Sequence, residues 1–371
     1  MIPVKLKTLT PVHIGSGREL SRDVEFLKLG NEVGVVDEKK ILGIIGEENI
    51  PLWVSMIEKQ EPLIDYLQKR QTGLKLSQVS SRTMPLFTKN FNRIKTLKEQ
   101  LIDGMGHPLI PGSSIKGAIR TAILNILLKD LNHNWKEEEL KNFKRKFSDK
   151  NIQSRIFGSD PNHDFMRFLK IGDALFEPDS LLAMSVLSMN YLFDRTKRDD
   201  KFLLLTEVIG ADEEASIRLK LDIKHWQKNI EVNEIRQPIP EFMRDYESLF
   251  QAINSFTELL IKNEIEEWKS DEFSHLQVIQ DYVNDLKRML NHCTECNKNE
   301  TVLRLGHGSG WIFMTGGWIK NEDLIDNQLY YKIEDNTRPR NHQYNDYFFP
   351  KTRRMDEEGE LLGFVKLTLE N

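Results

Sequence analysis

Hydrophobic and polar residues alternate in several short segments of the chain, a pattern that predicts β-strands. Residues 24–29 and 32–36 flank Gly30-Asn31, which is typical of a hairpin with a two-residue turn. The strands predicted in this way cover 4–9, 24–29, 32–36, 168–176, 217–223 and 363–369.

A longer apolar repeat with helical spacing follows the turn Pro111-Gly112, and it predicts a helix over 113–131 with one buried face. Ser113 or Ser114 is expected to cap the free amides at its start. The apolar positions of the repeat are Ile115, Ala118, Ile119, Ala122, Ile123, Ile126 and Leu127.

Three further segments have helical patterns. Asp37 is a suitable cap for a helix over 38–45, a second helix is predicted over 51–71, and 241–292 is expected to form two helices. Strands and helices are interleaved without a regular βαβ repeat. The pattern therefore predicts an α+β protein.

The composition is that of a globular protein, with 39% hydrophobic and 29% charged residues among 371. No apolar run approaches the ~20 residues of a membrane span, and the chain enters a strand pattern at once, without a signal peptide. These features predict a cytoplasmic protein with no membrane partner. The net charge of −5 argues against a free-standing, nonspecific nucleic-acid binder but permits a local basic groove. The basic cluster 141–146 is interpreted as a solvated helix face.

Two sites in the sequence suit an anionic ligand. Lys116 and Arg120 are four residues apart on one face at a helix N-terminus, where free amides favour a phosphate. This segment is not a P-loop, because its lysine precedes the glycine. The glycine cluster 306–310 is not a dinucleotide fingerprint, because Trp311 replaces the third glycine. It is either a turn that needs glycine torsions or a backbone that approaches RNA closely.

Other potential sites are incomplete. Cys293 and Cys296 form half of a zinc site, which His275, His307 or His342 would have to complete, and a reduced pair is favoured. His163-Asp164 lacks the partners of a metal phosphohydrolase. We therefore expect no metal and no cofactor. His13 is interpreted as a hydrogen-bonded histidine at a strand end, with a functional contact as the alternative.

Together, these segments resemble the RAMP superfamily, the repeat-associated proteins of CRISPR systems. The chain ending, residues 350–354 and 362–367, resembles one branch, the fifth Csm subunit of type III-A effector complexes. The segments that carry the resemblance are Thr10 to Gly17, Ile110 to Leu124, Ile156-Phe157-Gly158, Leu169 to Ala174 and Leu303 to Trp311.

The resemblance implies two ferredoxin-like (RRM-like) domains. These would be an N-terminal domain over 1–180 and a C-terminal domain over 181–371 with a helical insertion at about 241–292. It also implies a non-catalytic RNA-binding subunit that caps the backbone filament of the complex at the 3′ portion of the CRISPR RNA. That subunit would support RNA maturation. Its partners would be CRISPR RNA, the other Csm-type subunits, above all the backbone subunit, and host nucleases.

Within this resemblance, backbone contacts to RNA are expected from polar side chains and from glycines that allow close approach. Trp311 is either a base-stacking side chain or a core tryptophan beside a turn. Asp23 lies where backbone subunits carry a catalytic aspartate, but its surroundings differ and catalysis is not assigned to it. The residues expected to contact RNA are His13, Gly15, Gly17, Arg18, Ser113, Ser114, Lys116, Arg120, Gly306, His307, Gly308, Gly310, Arg353 and Arg354.

The alternative hypothesis is an endoribonuclease that processes CRISPR RNA, as relatives in other CRISPR types do. Such enzymes use a histidine as general acid or base, and His13 would be that residue here.

Overall fold

The structure is a computed structural model that describes nine stretches of the chain. They are residues 1–59, 61–131, 133–140, 147–188, 203–232, 234–270, 274–321, 323–337 and 353–370. The basic cluster 141–146 and His342 lie outside them.

Fifteen strands are assigned within these stretches. They are β1 (Ile2–Thr8), β2 (Gly15–Ser21), β3 (Phe26–Leu29), β4 (Glu32–Val36), β5 (Ser80–Phe87), β6 (Thr96–Gln100), β7 (Leu109–Ile110), β8 (Leu169–Ile171), β9 (Ala174–Leu175), β10 (Leu181–Ser188), β11 (Leu203–Ile209), β12 (Glu214–Leu221), β13 (Glu300–Arg304), β14 (Arg354–Met355) and β15 (Phe364–Leu369). The predicted hairpin is confirmed, since Leu29 pairs with Glu32 across Gly30-Asn31.

The first sheet has five antiparallel strands in the order β13-β15-β1-β12-β8. The N-terminal strand β1 lies near its middle, where Val4 pairs with Ile217 on one side and with Leu369 on the other. The second sheet has the order β2-β6-β11-β10-β5-β4-β3, and β14 pairs with β10 beside it. β7 and β9 form a separate two-stranded sheet.

Ten α-helices are assigned in the described stretches. They are α1 (Glu38–Ile45), α2 (Ile50–Lys59), α3 (Leu63–Arg70), α4 (Gly112–Leu131), α5 (Glu137–Leu140), α6 (Lys150–Phe157), α7 (Ile223–Glu231), α8 (Tyr246–Ser270), α9 (Gln277–Thr294) and α10 (Asn327–Thr337). Asp37 caps α1 as predicted, accepting the amides of Lys39 and Lys40. The single helix expected over 51–71 is instead two helices, because Pro62 cannot continue the first one.

The main core lies between the first sheet and two helices, α4 and α8. Val4 of β1 packs in the same cluster as Ile119 of α4 and Phe250 of α8, and all three are fully buried. This placement brings the start of α4 to the edge of the sheet, beside β8.

The mixed helix-and-sheet architecture agrees with the sequence-based expectation. Both large sheets contain strands from either side of residue 180. The division into 1–180 and 181–371, and the description as two ferredoxin-like domains, stay predictions.

Candidate nucleic-acid interface

The start of α4 is set by contacts with residues near Asp173. The amide of Gly112 donates to the Asp173 carboxylate at 2.7 Å, and a Cβ on Gly112 would lie 2.2 Å from the carbonyl oxygen of Ile171. The expected serine cap is therefore wrong, because α4 already begins at Gly112. Ser113 and Ser114 lie in its first turn, where Ser113 is exposed.

A cleft of about 480 Å³ opens beside this first turn, between α4, α6 and the segment 158–167. We call it the cation cleft. Its lining includes three carboxylates, Asp149, Asp160 and Asp164. It also includes four basic side chains, Lys116, Arg120, Lys150 and Arg167.

The two predicted cations in this cleft differ in how they are held. Arg120 donates to Asp164 at 2.6 Å, and its guanidinium carbon lies 3.7 Å from the ring centre of Phe157. Lys116 has no carboxylate within ion-pair distance in the part of the chain that the structure describes. Burial lowers the pKa of Lys116, Asp164 opposes this, and Arg120 and Lys170 lower it further. The positive charge at Lys116 is thus incompletely neutralised, which favours an anionic ligand.

His13 and the glycine loop, defined as residues 306–310, form a second group. His13 is 2% exposed, and its Nδ1–H donates to the carbonyl oxygen of Glu207 at 2.6 Å. Its own carbonyl oxygen accepts the His307 amide at 2.8 Å, and the two imidazole rings lie edge to face, 5.6 Å apart. Burial lowers the pKa of His13 to about 4 and that of His307 to about 3, so both rings are neutral at pH 7.

The glycine loop approaches the protein's own backbone closely. Gly306 has φ +79°, and a Cβ there would lie 2.6 Å from the carbonyl oxygen of His13. Buried Arg304 holds the loop from inside, donating to the carbonyl oxygens of Leu362 at 2.9 Å and Gly308 at 3.2 Å. Gly306 is therefore required by the fold itself. Gly308 and Gly310 also have positive φ, of +97° and +79°.

Gln100 links the His13 segment to the approach of α4. Its side-chain oxygen accepts the Ile14 amide at 2.9 Å, and its side-chain nitrogen donates to the carbonyl oxygen of Leu109 at 3.2 Å. Its backbone amide donates to fully buried Glu207, which Arg82 also contacts at 2.8 Å. Sequence analysis missed this network, since its members are far apart in the chain and have no characteristic spacing.

The remaining predicted contacts divide into accessible and inaccessible residues. Gly15, Gly17 and Arg18 are exposed, and Arg18 lies 3.4 Å from Glu25. Arg354 is half-buried beside Gly308, whose added Cβ would lie 3.7 Å from the Cβ of Arg354. Arg353 is the inaccessible member of the set, since only 5% of it is exposed.

Arg353 is placed away from this surface, because its guanidinium is enclosed by carboxylates. It donates to Glu264 and lies 3.1 Å from Glu267. The expected phosphate contact from Arg353 is not compatible with this burial, and we assign the side chain to the core.

The other chemical motifs have ordinary protein partners. Asp164 is bound to Arg120, whereas His163 contacts Asp160 at 2.6 Å, so this neighbouring pair does not act together. Burial raises the pKa of Cys293 to about 12 and of Cys296 to about 11, which keeps both thiols protonated. Within the described stretches, no three His, Cys, Asp or Glu side chains gather as metal ligands. No helix there has the length and apolar content to cross a membrane.

A family model for the RAMP superfamily matches residues 5–313, which is most of the chain. The protein therefore belongs to the RAMP superfamily, as its motifs indicate.

One curated relative is the CRISPR system Cms protein Csm5 of Methanocaldococcus jannaschii. It is 24% identical over 339 residues, covering 84% of this chain and 72% of that protein.

Two solved structures share the fold. A chain in the cryo-EM structure of a Csm-crRNA-target RNA ternary complex in a type III-A CRISPR-Cas system has a TM-score of 0.70 and 22% identity. It covers 100% of both chains. The crystal structure of T. onnurineus Csm5 has a TM-score of 0.67 and 20% identity, covering 97% of this chain and 99% of that one.

Proposed function

We propose that this chain is a non-catalytic RNA-binding subunit of a type III-A CRISPR effector complex. Three observations support this role: membership of the RAMP superfamily, similarity to a protein named Csm5, and a shared fold with a chain of a Csm-crRNA-target RNA complex. Its partners in this role are CRISPR RNA and other Csm-type subunits.

The proposal also specifies the position of this subunit in the effector complex. The subunit caps the backbone filament at the 3′ portion of the CRISPR RNA and supports RNA maturation, in which host nucleases take part. The acidic net charge of −5 suits a protein whose surface meets protein neighbours as well as RNA.

The observation that carries the RNA-binding role is the cation cleft. Lys116 is half-buried next to Arg120, with no carboxylate partner of its own within ion-pair distance among the described residues. Phosphate contacts of this kind position a strand without reading its sequence. That property suits a subunit that must accept any guide.

His13 does not have the surroundings of a general acid. Its ring is 2% exposed, which keeps a substrate from reaching a ring nitrogen for acid or base catalysis. Its Nδ1–H is held by a backbone carbonyl, and its pKa of about 4 leaves the ring neutral at pH 7, so there is no imidazolium proton to give. The geometry therefore favours the binding role over the endoribonuclease hypothesis.

The first test compares two charge reversals on the same helix. Lys116→Glu should weaken binding to a single-stranded RNA and reduce the slope of log K against log salt by about 1, since one phosphate contact is lost. Lys129→Glu, an exposed lysine near the other end of α4, is the matched control and should change neither quantity. Fluorescence anisotropy over a salt series measures both. Equal effects of the two variants would contradict the assigned site.

The position in the complex is tested by tagging the chain and co-expressing it with its neighbouring genes. Repeat-tagged spacer RNAs and several other subunits should co-purify. Lys116→Glu combined with Arg120→Glu should shorten those RNAs at the 3′ end or remove them. An RNA-free monomer would overturn the proposed role.

A further inference from the structure

A second, smaller cavity of about 130 Å³ lies next to the cation cleft. We call it the aromatic niche. Two indoles contribute to its wall, Trp311 and Trp318, which come from either side of a π-helical turn at Ile312–Gly316. Turns of this type are frequent at functional sites. The other lining residues are Leu140, Phe147, Ser148, Asp149, Ile319 and Ile333.

The niche and the cation cleft share one residue. Asp149 lines both, immediately before Lys150, which is among the cations of the cleft. The shared residue makes the two cavities neighbours, so a single strand that contacts Lys150 is close to the niche. Asp149 itself accepts from Gln153 at 2.9 Å through one carboxylate oxygen.

The size and chemistry of the niche restrict what it can hold. Drug-sized ligands need about 300–1,000 Å³, so 130 Å³ has room for little more than one flat ring system. The walls are aromatic and aliphatic, which suits stacking. Trp318 is almost fully buried, and its indole N–H has no acceptor among the described residues.

We propose that the aromatic niche receives one unstacked nucleobase of the bound RNA, while the neighbouring phosphates occupy the cation cleft. This inference rests on the proposed RNA-binding role and adds a base-holding contact to it. Aromatic faces stack on every base, so the niche fixes the position of one nucleotide without selecting its identity. An apolar side chain of a partner protein would also fit the volume, but it would not use the adjoining cations.

The test needs no mutation at first. A set of single-stranded RNAs, each with one abasic nucleotide at a different position, is titrated against the full-length wild-type chain by fluorescence anisotropy at fixed salt. One position should show a loss of affinity of roughly 5- to 150-fold, the size of a single base–aromatic stack. The other positions should bind as the intact RNA does.

Two substitutions at Trp311 then locate that base. Trp311→Ala should bind intact RNA as weakly as wild type binds the sensitive abasic RNA, and should no longer distinguish the two. Trp311→Phe should restore the distinction. The salt slope should stay unchanged in both variants, because no phosphate contact is removed.

The outcomes separate this inference from the proposed function. Tight RNA binding with no sensitive abasic position would overturn the niche but leave the RNA-binding role standing. An absence of RNA binding by the wild-type chain would overturn both. Unchanged RNA affinity in Trp311→Ala, with loss of co-purifying subunits, would assign the niche to a protein side chain and reject the base.

Discussion

Burial and ion pairing decide which basic side chains of this protein are able to contact a phosphate. Lys116 is half-buried, keeps access to the cleft and lacks a carboxylate partner within ion-pair distance among the described residues. Arg353 is enclosed and neutralised by carboxylates. His13 and His307 carry no charge at pH 7, because desolvation holds both pKa values well below 6.5. Basic residue type alone therefore does not identify the binding surface.

The buried imidazole of His13 should make the protein sensitive to mild acid. Its pKa of about 4 in the folded state lies below the ordinary 6.5, so the unfolded chain takes up the proton first as the pH falls. The stability that neutral His13 contributes is complete above about pH 6.5 and is lost as the pH falls towards 4. The loss is on the order of 3 kcal/mol.

Urea unfolding at pH 7.5, 5.5 and 4.5 measures this loss. His13→Asn keeps a donor for the Glu207 carbonyl but cannot be protonated in this range, so its free energy of unfolding should fall less steeply with pH. Parallel curves for the two proteins would show that His13 is not the titrating group.

The sequence predicted which side chains share a face where the spacing along one helix decides it. The four-residue spacing of Lys116 and Arg120 predicted a shared face, and both residues line one cleft. Lys150 and Arg167 were not predicted as members, because they reach the cleft only through the placement of α6 and the segment 158–167. Contact of any of these residues with RNA stays a prediction.

At the scale of elements, two glycines allow close contact between backbone segments, because a Cβ at either position would clash. Gly112 lets the start of α4 approach the end of β8, and Gly306 lets the glycine loop approach His13. Two segments far apart in sequence, 110–124 and 169–174, thus depend on each other, since Asp173 holds the first amide of α4. The candidate interface is therefore built from the ends of helices, strands and loops that contact one another.

Gly306→Ala should destabilise the protein, because the added Cβ would lie 2.6 Å from the His13 carbonyl oxygen at φ +79°. We expect the free energy of unfolding to fall by about 1–3 kcal/mol, the usual cost of such a strained backbone position. Gly117→Ala is the matched control, since its Cβ would meet open space within α4. It should be neutral or stabilising by up to ~1 kcal/mol. Thermal unfolding compares the two, and similar melting temperatures would refute the close approach.

Elements with a strong local signal were predicted well. The hairpin at Gly30-Asn31, the capped helix α1 and the long helix α4 lie within a few residues of their expected bounds. The segment 168–176 was expected as one strand but is two short ones, β8 and β9, which join different sheets. Periodicity cannot show such a change of partner, because it indicates which face of a strand is buried and not which strand it pairs with.

For the whole molecule, a buried ion pair joins distant parts of the chain. Glu264 of α8 contacts Arg353 and also accepts from Trp268 at 2.9 Å and from Tyr282 of α9 at 3.0 Å. Burial alone would raise the pKa of Glu264, but the Arg353 guanidinium holds it well below its ordinary value. The segment that contains Arg353 is fixed to α8 and α9 in this way.

Arg353→Met should cost about 3–5 kcal/mol of stability, because it leaves the Glu264 carboxylate buried without a counter-charge. Arg353→Met combined with Glu264→Gln should recover part of that loss, since the uncompensated charge is gone. The neighbouring substitution Arg354→Met is the control and should cost much less. Urea unfolding at pH 7 gives all three values, and equal losses for the two arginines would rule out the special role of the pair.

The position of β1 has a consequence for how the protein folds. Residues 2–8 pair in the sheet with residues 214–221 and 364–369, which lie far along the chain. His13 likewise contacts the distant His307. Contacts between segments so far apart in sequence form slowly, because the chain between them must lose conformational freedom first. The first sheet and the surface around His13 should therefore form after local elements such as the β3–β4 hairpin.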